Sequence, residues 1–382
     1  MKSKKKAPIE HEFESVALLL QGGGALGAYQ AGVYEALYEG GVEPDWVAGI
    51  SIGAVNAAII AGNKPENRVR QLKDFWEGLT QHPGSFLDSL FENMVEKSGT
   101  TAHGLWNQAY ANMYVLGGVP GFFKPHLMPP FFYPEGTLEA TSFYETGAFK
   151  ETLEKHIDFD LLNSGKIRFT TSAVNIRSGN YVKFQTPETR IGPEHIMASG
   201  ALPPGLPAVE IEGEQYWDGG LISNTPLQWV LDEHAQDTLI FQVDLWNARN
   251  HFPLNMTDVL ARQKEIQYSS RTRAITDHFC TAQKLRHNYA KLYSKLPDEL
   301  KATKEAKILM DASDTSVHNI VHLIYRAKDY ENYAKDYQFS YANMLMHWKA
   351  GYNDTKRSLQ HKEIFKKPDN TEGIKIFDVT QT

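Results

Sequence analysis

Apolar and small residues follow one another in the same order twice between residues 15 and 62. Each copy has a short apolar run, a glycine-rich turn and an alanine-rich stretch. The runs and turns read Val16-Ala17-Leu18-Leu19-Leu20-Gln21-Gly22-Gly23-Gly24 and Trp46-Val47-Ala48-Gly49-Ile50-Ser51-Ile52-Gly53. Two strand–turn–helix passages, in a unit that needs about 30 residues, predict a βαβ unit.

The predicted βαβ unit determines where the two glycine-rich turns lie. Between them, Ala31, Val33 and Leu37 recur at helical spacing, and Gly40-Gly41 ends that helix. The two strands are therefore parallel neighbours, and both turns fall at the carboxyl edge of the sheet. Ligands of α/β proteins bind at that edge.

Beyond residue 62, helices and strands are predicted in alternation up to about residue 250 and mainly helices afterwards. The predicted helices are 62–80, 85–96, 146–157, 193–199, 256–292 and 327–360; the predicted strands are 166–177, 181–185, 208–211, 215–217, 238–244 and 319–325. The polar segment 362–382 is predicted to be a tail. We expect a flexible basic N-terminus (1–14), a main domain (15–250) and a mainly helical C-terminal extension (251–382).

Aromatic residues and prolines are concentrated in residues 104–142, which we call the aromatic insertion. They are Trp106, Tyr110, Tyr114, Phe122, Phe123, Phe131, Phe132 and Tyr133, with Pro120, Pro125, Pro129, Pro130 and Pro134. Proline at this density is expected to prevent regular helix and central strand. Two interpretations are open. The segment is a lid or apolar channel over the core, or its aromatic side chains only anchor an irregular loop.

Charge and cysteine content narrow the class of protein. With 39 basic and 46 acidic residues the net charge is −7, which disfavours a nucleic-acid binder. The one cysteine, Cys280, cannot form an intrachain disulfide and is interpreted as a buried small hydrophobe, so we expect a reducing, cytoplasmic compartment. No apolar stretch of a secretory signal or of a membrane span is present. The lysines among residues 1–6 are interpreted as a solubilising tail or a contact with anionic lipid.

The second turn, Gly49-Ile50-Ser51-Ile52-Gly53, fits the pattern G-x-S-x-G in its required context. A strand precedes it and a helix follows. The flanking glycines, Gly49 and Gly53, let the backbone turn sharply and raise the Ser51 hydroxyl above the sheet edge. A chance match in a turn that prefers small residues is the alternative, and the context favours Ser51 as a nucleophile.

The first turn, Gly22-Gly23-Gly24-Ala25-Leu26-Gly27, has two functional interpretations. A dinucleotide fingerprint would need an acidic residue at the end of the second strand, but that strand ends in Ser51. An oxyanion hole is favoured, because consecutive glycines expose backbone N–H groups toward the neighbouring strand. We expect the donors to come from Gly22, Gly23 and Gly24, with Gly27 supporting the turn.

A serine nucleophile needs a base, and we expect an aspartate to supply it. No histidine after residue 210 lies in a glycine-rich turn that follows a strand, whereas Asp218 does, in Trp217-Asp218-Gly219-Gly220. We therefore predict a Ser–Asp site without histidine, in which Gly219 and Gly220 let the backbone approach closely. An aspartate of ordinary pKa, about 3.9, is a weak base, so it must bond directly to Ser51 and rely on the oxyanion hole.

These three motifs, in this order, resemble the patatin-like phospholipase family over residues 16–244. The resemblance implies a three-layer α/β/α fold with a mostly parallel sheet, Ser51 as nucleophile, Asp218 as its activator, and hydrolysis of lipid acyl esters without metal or cofactor. Many members carry Arg or Lys where Leu26 stands, so a role for that cation is in doubt here. The residues after about 250 resemble the C-terminal extension of a bacterial subgroup.

The main hypothesis is therefore a cytoplasmic acyl ester hydrolase that touches membranes transiently. A non-catalytic lipid- or partner-binding protein with a vestigial serine is the first alternative, and a nucleotide-binding enzyme is the second. His195 and Ser199, just before a proline-rich turn, are interpreted as structural residues, although either could line the pocket.

Overall fold

The structure of the protein is a computed structural model. It describes residues 8–80, 100–232, 236–327, 331, 334–369 and 373–378. Side chains are left out at 100–107, 231–232 and 270–275. The helix predicted at 85–96 lies outside the described residues, as do the lysines among residues 1–6. None of the described helices has the length and apolar character needed to cross a bilayer.

A nine-stranded sheet runs through the described part of the chain. Two further short strands form a separate hairpin. The strands, in chain order, are β1 Ser15–Leu20, β2 Trp46–Gly49, β3 Lys124–Pro125, β4 Tyr144–Glu145, β5 Arg168–Asn175, β6 Tyr181–Gln185, β7 Val209–Ile211, β8 Glu214–Asp218, β9 Thr238–Asp244, β10 His318–Ile324 and β11 Ile374–Phe377. The sheet order is β11-β10-β9-β1-β2-β5-β8-β7, with β6 paired to β5. The first six strands of this order are parallel, so the predicted mostly parallel sheet is confirmed.

Helices cover both faces of the sheet. They are α1 Ala28–Gly40, α2 Ile52–Ala61, α3 Pro65–Leu79, α4 Thr100–Gly117, α5 Gly147–His156, α6 Phe159–Asn163, α7 Pro193–Ser199, α8 Leu227–Asp232, α9 Met256–Ser294, α10 Asp298–Lys301, α11 Lys304–Asp311 and α12 Tyr341–Ser358. Alternate residues of β1 point to opposite faces. Leu18 and Leu20 join a core cluster with α1, α2, α3 and α12. Ala17 and Leu19 join a second cluster with α8 and α9. The fold is therefore the predicted three-layer α/β/α arrangement.

Strand β5 brings two strands from different parts of the chain end to end. Its residue Thr170 pairs with Ala48 of β2 on one side and with Gln185 of β6 on the other. Farther along β5, Ala173 still pairs with β6 on one side. On its other side, where β2 has already ended, Ala173 pairs with Asp218 of β8. Strand β8 is antiparallel to β5, and its last residue therefore faces the end of β2. This register directs Asp218 toward the turn that holds Ser51.

The C-terminal extension is mainly helical, but it is built into the same sheet. Strands β10 and β11 continue the sheet beyond β9. Helix α12 packs directly on α1, where a β-carbon at Gly32 would lie 1.9 Å from the carbonyl oxygen of Trp348. A β-carbon at Gly351 would lie 2.0 Å from the carbonyl oxygen of Tyr29. The two helices approach this closely because each has a glycine at the contact.

Three sequence predictions about local structure were wrong. The aromatic insertion begins inside a regular helix, α4, because its prolines start only at Pro120. The tail 362–382 includes β11, whose residues Ile374–Phe377 pair with β10. The helix predicted at 327–360 begins only at Tyr341, where the Ser340 hydroxyl caps its first turn. The described residues just before it, 334–339, include a short 3-10 helix, Lys335–Tyr337, and lie over the site.

Candidate active site

Ser51 lies in a sharp turn between β2 and α2. Its backbone dihedral angles are φ 55° and ψ −125°, a conformation that a residue with a side chain rarely adopts. The flanking glycines touch each other, because a β-carbon at Gly49 would lie 2.1 Å from the carbonyl oxygen of Gly53. The turn therefore holds the half-buried Ser51 above the sheet edge at the N-terminus of α2, as the motif predicts.

Two buried hydroxyl groups hold the Ser51 turn in place. The Ser51 backbone N–H donates to the Ser199 hydroxyl oxygen at 3.1 Å. The Ser199 hydroxyl lies 2.9 Å from the Thr171 hydroxyl, which in turn lies 3.0 Å from the carbonyl oxygen of Gly49. Ser199 and Thr171 are fully buried. Ser199 thus supports the Ser51 turn, a role that its sequence context did not reveal.

Asp218 ends β8 and faces Ser51. Its Oδ1 accepts the backbone N–H of Gly220 at 2.7 Å, and the Ser51 hydroxyl lies close enough to the carboxylate to influence its pKa. The residue is 2% exposed. Burial raises the pKa of Asp218 from 3.8 to about 7, although the Gly220 N–H and the Ser51 hydroxyl both act to lower it. The weakness expected of an aspartate base is therefore reduced by desolvation.

The glycine loop, by which we mean Gly22, Gly23 and Gly24, lies against the Ser51 turn. A β-carbon at Gly22 would lie 3.1 Å from the Ser51 β-carbon. The N–H of Gly22 donates to the carbonyl oxygen of Asn224 at 3.4 Å. No acceptor for the N–H groups of Gly23 and Gly24 occurs among the described residues. Those two donors are available to a ligand in front of Ser51.

The remaining glycines of the motifs lie where neighbouring atoms leave no room for a side chain. A β-carbon at Gly27 would meet Ile52, one at Gly219 would meet the Ser172 hydroxyl, and one at Gly220 would meet Asp218 and Asn224. These glycines hold the loops at the distances described above. Each of the predicted motif residues therefore lies at the site or directly beneath it.

A cavity of about 150 Å³ opens in front of Ser51. Its polar end is formed by the glycine loop, Ser51, Asp218 and Asn224. Its apolar walls come from three parts of the chain: Phe122, Phe123 and Tyr144; Leu202, Pro203, Pro204 and Leu206; Trp246, Tyr268, Tyr337 and Phe339. Of the two interpretations of the aromatic insertion, the structure favours a channel wall, since Phe122 and Phe123 line the cavity.

Sequence reasoning missed Asn224 and Trp246, which hold the glycine loop. The Asn224 amide nitrogen donates to the carbonyl oxygen of Gly22 at 3.0 Å, and the Trp246 ring nitrogen donates to the same oxygen at 2.9 Å. Asn224 follows Asp218 by six residues, and Trp246 follows the end of β9. Their nearness to the recognised motif and to a predicted sheet edge is the only signal that could have identified them.

The C-terminal extension closes the cavity through two adjacent ion pairs. Lys264 Nζ lies 2.9 Å from both carboxylate oxygens of Asp336, and Lys335 Nζ lies 2.8 Å from Glu265 Oε1. Two neighbouring residues of α9 thus bind two neighbouring residues of the segment 334–339. The carbonyl oxygen of Asp336 would lie 2.2 Å from a β-carbon at Gly24, so this segment packs directly on the glycine loop.

Histidines lie away from the reacting groups in the part of the chain that the structure describes. None of its histidines lines the cavity. His195 Nδ1 accepts the N–H of Gly192 at 3.0 Å, and its ring packs edge-on against Phe184. Burial lowers the pKa of His195. His195 is therefore a structural residue of α7, in agreement with its interpretation from the sequence. Cys280 is half-buried in α9, and burial raises the pKa of its thiol.

Comparisons with known proteins match this arrangement over two stretches of the chain. A family model described as patatin-like phospholipase matches residues 18–231, and one described as patatin phospholipase matches residues 266–371. Patatin-like phospholipase domain-containing protein 7 of Mus musculus is 35% identical over 101 residues, which cover 26% of this chain and 7% of that protein. Protein 6 of the same series, from Homo sapiens, is 42% identical over 62 residues, which cover 16% of this chain and 4% of that protein.

Among solved structures, VipD from Legionella pneumophila aligns with a TM-score of 0.41 and 14% identity, covering 100% of this chain and 77% of that one. The first family model covers more than half of the sequence and includes all three motifs. The chain therefore belongs to the patatin-like phospholipase family.

Proposed function

We propose that the protein is a serine acyl hydrolase that cleaves lipid acyl esters, as a phospholipase A or lysophospholipase does. The observation that carries the proposal is that Ser51 lies beside Asp218, a buried carboxylate whose pKa is raised by burial to about 7. It is supported by the cavity in front of them, which has a polar end and apolar walls. Family membership supports lipid hydrolysis in general terms.

In the proposed first step, the Ser51 Oγ attacks the ester carbonyl carbon and its proton passes to the Asp218 carboxylate. The carbonyl oxygen becomes an oxyanion, which the free N–H groups of Gly23 and Gly24 stabilise. The C–O bond to the alcohol then breaks, and the proton on Asp218 goes to the leaving alkoxide. An acyl-Ser51 intermediate remains.

In the second step a water molecule attacks the acyl carbon and gives its proton to Asp218. Collapse of the second tetrahedral intermediate releases the fatty acid and returns the proton to Ser51. Asp218 can serve in both directions because a pKa near neutrality allows it to accept and to donate a proton. The glycine loop supports the same oxyanion in both steps. Gly22 is not proposed as a donor to the oxyanion, because its N–H donates to the carbonyl oxygen of Asn224. It places the loop beside Ser51.

The acyl chain is expected to occupy the apolar part of the cavity. Aromatic and proline side chains form that part, and the aliphatic Leu202 and Leu206 lie between them. Its charged groups are Asp218 and Asp336, and the second is paired with Lys264. We also propose transient contact with a membrane surface and a cytoplasmic location, which the single cysteine supports.

Labelling with a fluorescent alkyl phosphonate tests the proposal, because this reagent reacts covalently with an activated serine. We expect labelling of the native protein and none of the Ser51→Ala and Asp218→Asn variants. As a control, Ser142→Ala removes a buried hydroxyl from the aromatic insertion and should keep the labelling. Failure of the native protein to label, with lipid still bound, would favour the non-catalytic alternative.

A further inference from the structure

Large apolar side chains are exposed in a group beside the mouth of the cavity. We call the following residues the apolar rim: Leu116, Leu127, Met128, Phe131, Phe132 and Phe143. The exposed fractions of Leu127, Phe131 and Leu116 are 97%, 85% and 77%. Single exposed apolar residues are common on soluble proteins, but a contiguous group marks an interaction surface.

Contacts within the aromatic insertion and with Phe143, which follows it directly, hold the apolar rim together. The ring centroids of Phe131 and Phe143 lie 6.4 Å apart. His126, one residue before Leu127, donates its backbone N–H to the carbonyl oxygen of Phe143 at 3.1 Å. The Met128 N–H donates to the Tyr133 hydroxyl at 3.2 Å. The exposed side chains therefore project from segments that are bonded to one another.

The apolar rim continues into the wall of the cavity. The Tyr144 hydroxyl donates to the carbonyl oxygen of Val115 at 2.7 Å, one residue before Leu116. Tyr144 itself lines the cavity, as do Phe122 and Phe123 of the aromatic insertion. Residues of the apolar rim are thus direct chain neighbours of Val115 and Tyr144, and Tyr144 reaches the space in front of Ser51.

Charge indicates what occupies this surface. Between Met113 and Phe143 the ionised side chains are Lys124, Glu135 and Glu139, so the rim has neither a basic nor an acidic field. Such a surface fits the hydrocarbon boundary of a bilayer better than an anionic headgroup layer. We propose that the apolar rim is the surface on which the protein docks to a lipid bilayer, with the cavity mouth toward the acyl chains. The choice of occupant rests on the proposed function, since the substrate is then drawn from a bilayer.

Co-sedimentation of the full chain with phosphatidylcholine vesicles tests the docking surface. The variant Leu127→Ser/Phe131→Ser/Phe132→Ser should bind these vesicles more weakly, by roughly tenfold for each side chain that reaches the hydrocarbon. The matched control is Leu300→Ser/Ile308→Ser, which changes side chains 50% and 57% exposed on α10 and α11. We expect the control to bind like the native protein, and high salt to leave binding unchanged.

Two further measurements separate this proposal from the proposed function. A soluble short-chain ester should be cleaved equally by the native protein and the triple variant, and Ser51→Ala should keep its affinity for vesicles. If the triple variant binds vesicles like the native protein, or if binding requires anionic lipid and is lost in high salt, the docking surface is wrong. Sedimentation without lipid that shows a dimer lost in the triple variant would assign the rim to a second copy of the chain and overturn the proposal.

Discussion

The two sides of the active-site cavity are assembled in different ways. The reacting side comes mainly from residues 15–62, where the glycine loop and the Ser51 turn follow neighbouring strands. The opposite wall comes from Trp246, Tyr268 and the segment 334–339, which are far apart in the chain. The reacting side depends on local backbone geometry, whereas the wall depends on ion pairs between distant residues.

This difference predicts which substitutions should act on the chemical step directly and which should act only on the residues that hold the site in place. Ser51 has a strained backbone held by glycines and buried hydroxyls, so its geometry is set within the core. The segment that carries Asp336 touches the glycine loop from outside and is held by Lys264 and Glu265 of α9. Substitutions on the reacting side should abolish the chemical step, and substitutions in the wall should weaken it.

The largest effect is expected from the dyad itself. Ser51→Ala and Asp218→Asn should each lower kcat by roughly 10⁴-fold or more, because one removes the proposed nucleophile and the other its proposed base. The effects should not add in the double variant, since both residues act in one step. Steady-state hydrolysis of a soluble ester measures this. A residual activity of about one tenth in Asp218→Asn would show that another base serves Ser51.

Asp218→Asn should also stabilise the folded protein above about pH 7. The folded-state pKa of Asp218 is about 7 and its ordinary value is 3.8, so the folded state binds the extra proton in between. The free energy of unfolding therefore falls as pH rises through that interval, by up to about 4 kcal/mol for a shift of this size. Thermal melts of the native protein and the variant at about pH 8 and about pH 4 check this. The substitution should raise Tm at the higher pH and have little effect at the lower one, and equal shifts at both would contradict the assigned pKa.

Asp218 also determines the pH dependence of activity. As pH rises, activity should increase, whereas the stability of the folded protein should decrease. Asp218 must be ionised to accept the Ser51 proton, so kcat/KM should rise with pH and level off above about 7. At about pH 5 only about one molecule in a hundred would carry the ionised form, which predicts roughly a 100-fold loss. A pH profile with a soluble ester tests it. A midpoint near about pH 4 would mean that Asp218 is more hydrated than its burial indicates.

The reacting side could be predicted from the sequence because each part of it has a local signal. The Gly49-to-Gly53 turn and the glycine loop each follow an apolar run and precede a helix, and Asp218 stands before two glycines. Parallel strands that are neighbours then bring the first two motifs to one edge. The spacing of the motifs does not predict that Asp218 lies at the same edge. Its position depends on the pairing of β8 with β5, on the side of β5 that also pairs with β2.

The wall could not be predicted because its residues have no shared pattern. The segment 334–339 lies in a stretch predicted to be one long helix, yet it forms only a short 3-10 helix, Lys335–Tyr337. Lys335 and Asp336 pair with α9, and the Asp336 carbonyl packs on the glycine loop. The strand Ile374–Phe377 has the alternation of a strand, but a polar tail around it concealed the signal. Tertiary contacts determine the structure of both segments, and these contacts cannot be inferred from a single sequence.

Charge reversal at Lys264 tests the role of the wall. Lys264→Glu places a second carboxylate beside Asp336, and the repulsion should displace the segment 334–339 from Gly24. We expect kcat to fall by roughly 10- to 50-fold with a smaller change in KM, because Gly24 is proposed to act in the transition state. Restoring the pair with opposite polarity, Lys264→Glu/Asp336→Lys, should recover part of kcat.

The control for that reversal is Lys301→Glu. Lys301 pairs with Asp298 at 3.2 Å on the exposed surface of the short helix α10, where an ion pair contributes little. It should leave kcat and Tm near their native values. If Lys264→Glu lowers Tm but not kcat, the ion pair supports the fold alone, and the wall does not act on the glycine loop.

The smallest effect is expected where a buried hydroxyl supports the reacting side. Ser199→Ala removes the acceptor of the Ser51 N–H, a loss worth about 1 to 1.5 kcal/mol, so kcat should fall by roughly 5- to 10-fold. Thr186→Val is the matched control, because the Thr186 hydroxyl is also buried and also accepts a backbone N–H, that of Phe169, at 3.0 Å. Both variants should lower Tm similarly, since each leaves one buried N–H without its partner. If only Ser199→Ala lowers kcat, the hydroxyl positions the nucleophile. Equal kcat losses in both variants would reduce Ser199 to a residue of the core.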